Sequence, residues 1–237
     1  EGSLNVLGMY VRGHEYGLQM SSGAKVSATG LDVSQVEQAC VSALQSELTL
    51  SQSEFTVCGG GGAILLLDSK GVLSGLKVHD TRALGVLVRQ GGLAITASEF
   101  SRITAEGEAL GDAVHVRQSK AMLKAVRVSD VEGSALFATA FAEVKVPSLE
   151  VERARQSAMF VERGATVEVE SLLVRGGNGG AVLVPSKAHV SIRSLSVAGG
   201  NDMPIYAECS EGAEVELGRV ESTVQQLKSR CITRLEK

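Results

Sequence analysis

The chain has 237 residues, of which 44% are hydrophobic and 3% aromatic, with no Trp. Its 23 Lys and Arg stand against 27 Asp and Glu, a net charge of -4, so no nucleic-acid partner is expected. No apolar run approaches the roughly 18 residues of a transmembrane segment, and no Cys-x-x-Cys spacing of a zinc or redox site occurs.

Residues 3–12 hold two short alternating runs, Leu4 and Val6, then Met9 and Val11. Alternation with a period of two marks strands with one buried face. These two match the last strands of the units that follow, so the chain begins in mid-coil. An open strand stack of that kind calls for a preceding segment or a covering chain. No charged start leads into an apolar stretch, so a secretion signal, if there is one, lies outside these residues.

From Gly17 onward a unit recurs, with coils starting near Gly17, Cys40, Ala63, Gly85, Ala113, Ala135, Ala158, Ala181 and Pro204. Its first inward residue is Leu18, Val41, Ile64, Val86, Val114, Leu136, Met159, Val182 and Ile205, in steps of 23, 23, 22, 28, 22, 23, 23 and 23. The copies are plainest in residues 165–184 and 188–207, which share a Gly-Gly-Asn turn. In the coil from Ala181 the inward pairs are Val182 and Val184, Val190 and Ile192, then Leu195 and Val197. Three short strands per coil without helices predict an all-β parallel solenoid of about nine coils over residues 1–222.

Stacked coils lie about 4.8 Å apart, so equivalent residues form columns. The small residues that open each coil suit a tight corner. The 28-residue step reflects an insertion in residues 103–112, expected as a loop on one face, either a binding loop or a neutral excursion. Residues 223–237 lose the alternation and are expected to cap or trail the last coil. The Gly-rich runs 58–62 and 176–180 read as corners, with Asn178 and Asn201 capping stacked turns.

Outward columns differ in kind. The second strand offers Lys124, Lys145, Glu168, Ser191 and Glu216, and the third Asp32, Thr56, Lys77, Arg127, Glu150 and Ser196. Both read as solvated faces. The first strand instead offers Leu65, Leu87, His115, Phe137, Phe160, Leu183 and Tyr206, where alternation predicts polar residues. A contiguous ladder roughly 30 Å long is too large a patch to leave exposed without purpose. Beside it a rim is expected from Asp68, Arg89, Arg117, Glu162 and Glu208, with Asp68 one coil below Arg89. An apolar centre with a charged border is the make-up of an interface. A protein partner or a second copy is therefore expected on the ladder, with polysaccharide as the other class of ligand. Leu65, Leu87 and Leu183 stack poorly on sugars and favour protein.

The four cysteines fall as Cys40 with Cys58 and Cys209 with Cys231. Two disulfides and a secreted, periplasmic or cell-surface location are expected. The competing reading is four reduced thiols filling core columns. His79-Asp80 reads as a turn, and His115, Arg89 and Arg117 gather on the first-strand face. Glu162 and Glu208, two coils apart, are the nearest approach to a hydrolytic carboxylate pair. No catalytic residue, metal ligand set or cofactor is assigned.

The 23-residue spacing, three strands per coil and Gly/Asn turns resemble the right-handed parallel β-helix of the pectin-lyase-like superfamily, over about residues 3–222. The right hand is also the general preference of parallel crossovers. The resemblance implies cleavage of acidic polysaccharides on the outer face of the first strand, using clustered Asp with Arg, Lys or His. That face carries Leu and Phe here and no Asp cluster. The chain accordingly looks closer to non-catalytic adhesins and scaffolds of similar architecture.

Overall fold

A computed structural model describes residues 2–177, 179–199, 205–222 and 231–234. Asn178, Asn201, Pro204 and most of the 223–237 tail lie outside the described residues. The rest is a parallel β-solenoid of about nine turns, whose only helical element among the described residues is the short turn Cys209–Glu211. First strands form a nine-stranded sheet, and second and third strands together form one of eighteen strands.

The inward column pairs in the predicted order, Leu18↔Val41, Val41↔Ile64, Val86↔Ile64 and onward to Val182↔Ile205. Ile64, Val86, Val114, Leu136, Met159 and Val182 are each 0% exposed. Burying a side chain of this size stabilises by roughly 1.5–3 kcal/mol before entropy is charged. The columns therefore hold the stack together. The coil-opening column is small for a geometric reason: a Cβ on Gly85 would stand 2.4 Å from the Ala113 carbonyl oxygen.

Corners are made by left-handed residues that repeat from coil to coil. Where the first strand ends they are Ser22, Gln45, Asp68, Gln90, Gln118, Ala140 and Arg163, with φ between 48° and 58°. A second series, Gln35, Val57, Asp80, Arg102, Asp130 and Arg153, lies inside the third strands. From Val57 onward each of these interrupts the alternation and leaves two successive residues facing out.

Three expectations about columns change in the observed register. Asp68 sits at the first corner and not on the rim, because Leu67 is the residue in register with Arg89. In the third strand Glu54 takes the place expected for Thr56, between Asp32 and Lys77. In the second strand Met122, not Lys124, stands beneath Lys145, and Lys145 pairs with Glu168 one coil above at 3.6 Å. His79 and Asp80 lie within the strand Lys77–Arg82 and not in a turn.

From Thr166 onward the corner between second and third strands disappears. Thr166–Arg175, Ala188–Ala198 and Ala213–Ser222 each run through as one long strand. The 103–112 insertion makes a single antiparallel bridge, Glu106↔Ala109. It is anchored by Arg82 to Glu106 at 3.5 Å and by the Ala105 N–H donating to Glu132. Both disulfides are present, Cys40–Cys58 and Cys209–Cys231. In the tail, Ile232–Arg234 adds a parallel strand to Val215, Glu216 and Leu217. No helix among the described residues is long and apolar enough to cross a membrane.

Candidate binding surface

The outward ladder of the first sheet is in register along its whole length. Leu65 pairs with Leu87, Leu87 with His115, His115 with Phe137, Phe137 with Phe160, Phe160 with Leu183 and Leu183 with Tyr206. Parallel strands without slippage superpose identical positions, so the three central rings stack. Centroids of His115 and Phe137 are 4.5 Å apart at 23°, and those of Phe137 and Phe160 are 4.9 Å apart at 4°. The six ladder residues from Leu65 to Leu183 shield one another's flanks and stay half-buried, while Tyr206 at the end is exposed at 38%.

His115 is oriented from within its own strand by a residue that alternation does not pick out. Asp112, 2% exposed, opens the same strand and places Oδ2 3.2 Å from His115 Nδ1. Its Oδ1 accepts the Ser134 N–H at 2.8 Å. Ser134 in turn shares a hydrogen bond with Ser157, so a buried polar thread climbs the corner beside the ladder. The signal available in the sequence was an acid in a column otherwise filled by Leu84, Ser134, Ser157 and Gly180.

The rim is divided by charge. Arg89 and Arg117 are in register, the only pair of cationic side chains so placed among the described residues. Like charges directly opposite destabilise a sheet, and among the described residues neither arginine has a carboxylate within ion-pair distance. Above them Glu162 accepts from Thr139 Oγ1 at 3.0 Å and from Arg163 Nε at 3.2 Å. Glu208 accepts from the Ser210 N–H and hydroxyl and, at 2.8 Å, from the Tyr206 hydroxyl. The Ser210 bonds, with help from Tyr206, hold the Glu208 carboxyl below its ordinary pKa, and the bond to Glu208 raises that of Tyr206.

The chain matches no protein-family model, and no curated protein is significantly similar to it. What the surface can do therefore follows from its own chemistry. Stacked rings offer flat apolar area at low entropic cost, and the rim offers cations at one end and carboxylates at the other. Glu162 and Glu208 remain two coils apart with Pro185 between them.

Other features have structural explanations. A concavity of about 450 Å³, lined by Glu99, Ala125, Arg127, Glu150 and Leu173, lies on the larger sheet. Arg127 on its wall is held by Glu99 and Glu150 at 3.8 and 3.3 Å. The third-strand kinks carry alternating charges: Asp80 binds Arg102 at 2.5 Å, and Asp130 binds Arg153 at 2.6 Å. His79 bridges Glu54 and Asp80 at 2.8 and 2.7 Å. That ladder escaped the sequence reading because its members follow directly after another outward residue. Phe141, 76% exposed, was also missed; its ring packs over Gly164, where a Cβ would approach it to 2.6 Å.

Proposed function

We propose that this chain is a non-enzymatic binding or scaffold module that docks protein on the outer face of its first sheet. The observation that carries this reading is the in-register ladder from Leu65 to Tyr206 with three stacked rings at its centre. Its leucines at both ends suit an apolar protein surface, and the charged rim suits an interface border. Two disulfides accord with a secreted, periplasmic or cell-surface setting. Kinship with the right-handed, pectin-lyase-like β-helices belongs to the same proposal, on the strength of coil length and strand number. The test is Phe137→Asp combined with Phe160→Asp. Circular dichroism is expected to stay unchanged while association, followed by light scattering, is lost; unchanged association would reject the reading.

The second reading is a carbohydrate-binding or carbohydrate-active β-helix using the same face. The in-register Arg89 and Arg117, without a carboxylate partner among the described residues, are what favours it. Binding of an acidic glycan that Arg117→Ala abolishes would establish it over the first.

A further inference from the structure

The ladder has seven members, and the fourth is Phe137. Rotation by a half turn about an axis lying along that strand, in the plane of the face, inverts the order of coils and keeps the rim on the same side. Under this operation Phe137 meets Phe137 of the second copy and His115 meets Phe160. The ring cluster is thus complementary to itself.

The rim obeys the same operation. Arg117 lies one coil below the axis and Glu162 one coil above it, in a column continued by Thr139 between them. In the rotated copy each Arg117 faces a Glu162, twice. Arg89, two coils below, comes opposite Pro185, with the second copy's Glu162 and Glu208 one coil to either side. The like-charge contact of Arg89 with Arg117 is relieved by carboxylates supplied from outside the monomer. A two-fold contact requires this reciprocity, residue i meeting j and j meeting i.

Resting on the protein-docking reading, we infer that the partner is a second copy of this chain, packed face to face with antiparallel solenoid axes about a dyad at Phe137. Sheets packed face to face stand about 10 Å apart, within reach of interdigitating rings. A face roughly 30 Å by 15 Å buries about 900 Å² over both copies, below the roughly 1,200–2,000 Å² of standard interfaces. Association is therefore concentration dependent, and the two Arg117–Glu162 contacts matter to its specificity.

The test mixes two charge reversals. Arg117→Glu and Glu162→Lys each set like charges against each other at both contacts, and each is expected to weaken dimerisation about tenfold or more. An equimolar mixture restores opposite charges at both contacts and is expected to dimerise as the wild type does, read by light scattering and analytical ultracentrifugation. Should Glu162→Lys fail to fold, Phe137→Cys provides the second measurement: oxidation links two copies at the dyad, and Leu65→Cys gives no such link. A wild-type dimer lost in Phe137→Asp but indifferent to both reversals, or linked through Leu65→Cys, overturns this geometry and leaves protein docking standing. A wild type that stays monomeric at every concentration overturns self-association. A monomer that binds a polyuronate through Arg89 and Arg117 overturns this inference and the protein-docking reading together.

Discussion

Phe160 stands one coil above Phe137 with its ring 4° from parallel and its centroid 4.9 Å away. That separation is the spacing of hydrogen-bonded strands, so the backbone ladder sets the stack without any tilt of the rings. A double-mutant cycle with Phe137→Leu and Phe160→Leu, followed by urea unfolding, is expected to give a coupling of about 0.5–1.5 kcal/mol. Additive single losses would show that the rings contribute only their separate areas.

The alternating third-strand charges make stability depend on pH with two opposite signs. The Arg102 hydrogen bond holds the Asp80 carboxyl well below the usual carboxylate range, and the Arg153 bond does the same for Asp130. A depressed folded pKa stabilises above the unfolded value of about 4, and that gain is lost as pH falls through the folded value. Partial burial alone would lower the His79 pKa, but its bonds to Glu54 and Asp80 outweigh this and raise it. Its contribution is full below about pH 6.5 and lost as pH rises through the folded value. The unfolding midpoint should therefore fall on acidification below about pH 4. Solvent screening keeps the effect small. Asp80→Asn with Asp130→Asn should flatten the acid limb, and parallel acid limbs in variant and wild type would sink this account.

Asp112 matters more for what it accepts than for its charge. Its Oδ1 is the acceptor for the buried Ser134 N–H, and an unsatisfied buried donor costs about 1–3 kcal/mol. Chemical denaturation of Asp112→Ala should show a loss of that order. Asp112→Asn keeps an acceptor oxygen and should recover most of it; equal losses in the two variants would refute the hydrogen-bond explanation.

Cys40 and Cys58 close a short loop with a sequence separation of 18 and are buried among core residues. Chain-entropy reasoning for a loop of this length predicts that Cys40→Ala with Cys58→Ala costs about 3 kcal/mol. Thermal unfolding of the variant against the oxidised wild type measures it. A loss shared equally by reduced wild type would assign the effect to the bond itself and not to the packing of the two side chains.

Much of the molecule can be read from its residues. Inward positions such as Ile64, Val86 and Val114 recur with coil length, because a solenoid repeats one cross-section and only apolar side chains fill its interior. The same alternation put Leu65, Phe137 and Tyr206 outside, and the spacing of the cysteines foretold both disulfides. Residues past a corner were harder to place. Left-handed backbone normally announces itself by Gly or Asn, whereas Gln45, Asp68, Ala140, Arg102 and Arg153 adopt it here.

Sequence alone determined the coil length, the strands and the faces on which apolar residues stand, since these follow from local periodicity and burial. Tertiary structure alone decided the contacts that alternation does not reach: His115 with Asp112 on its own strand, and Asp80 with Arg102 one coil away. The reason is that a left-handed residue within a third strand, such as Asp80 or Arg102, turns a second successive side chain outward, which a period of two does not foresee.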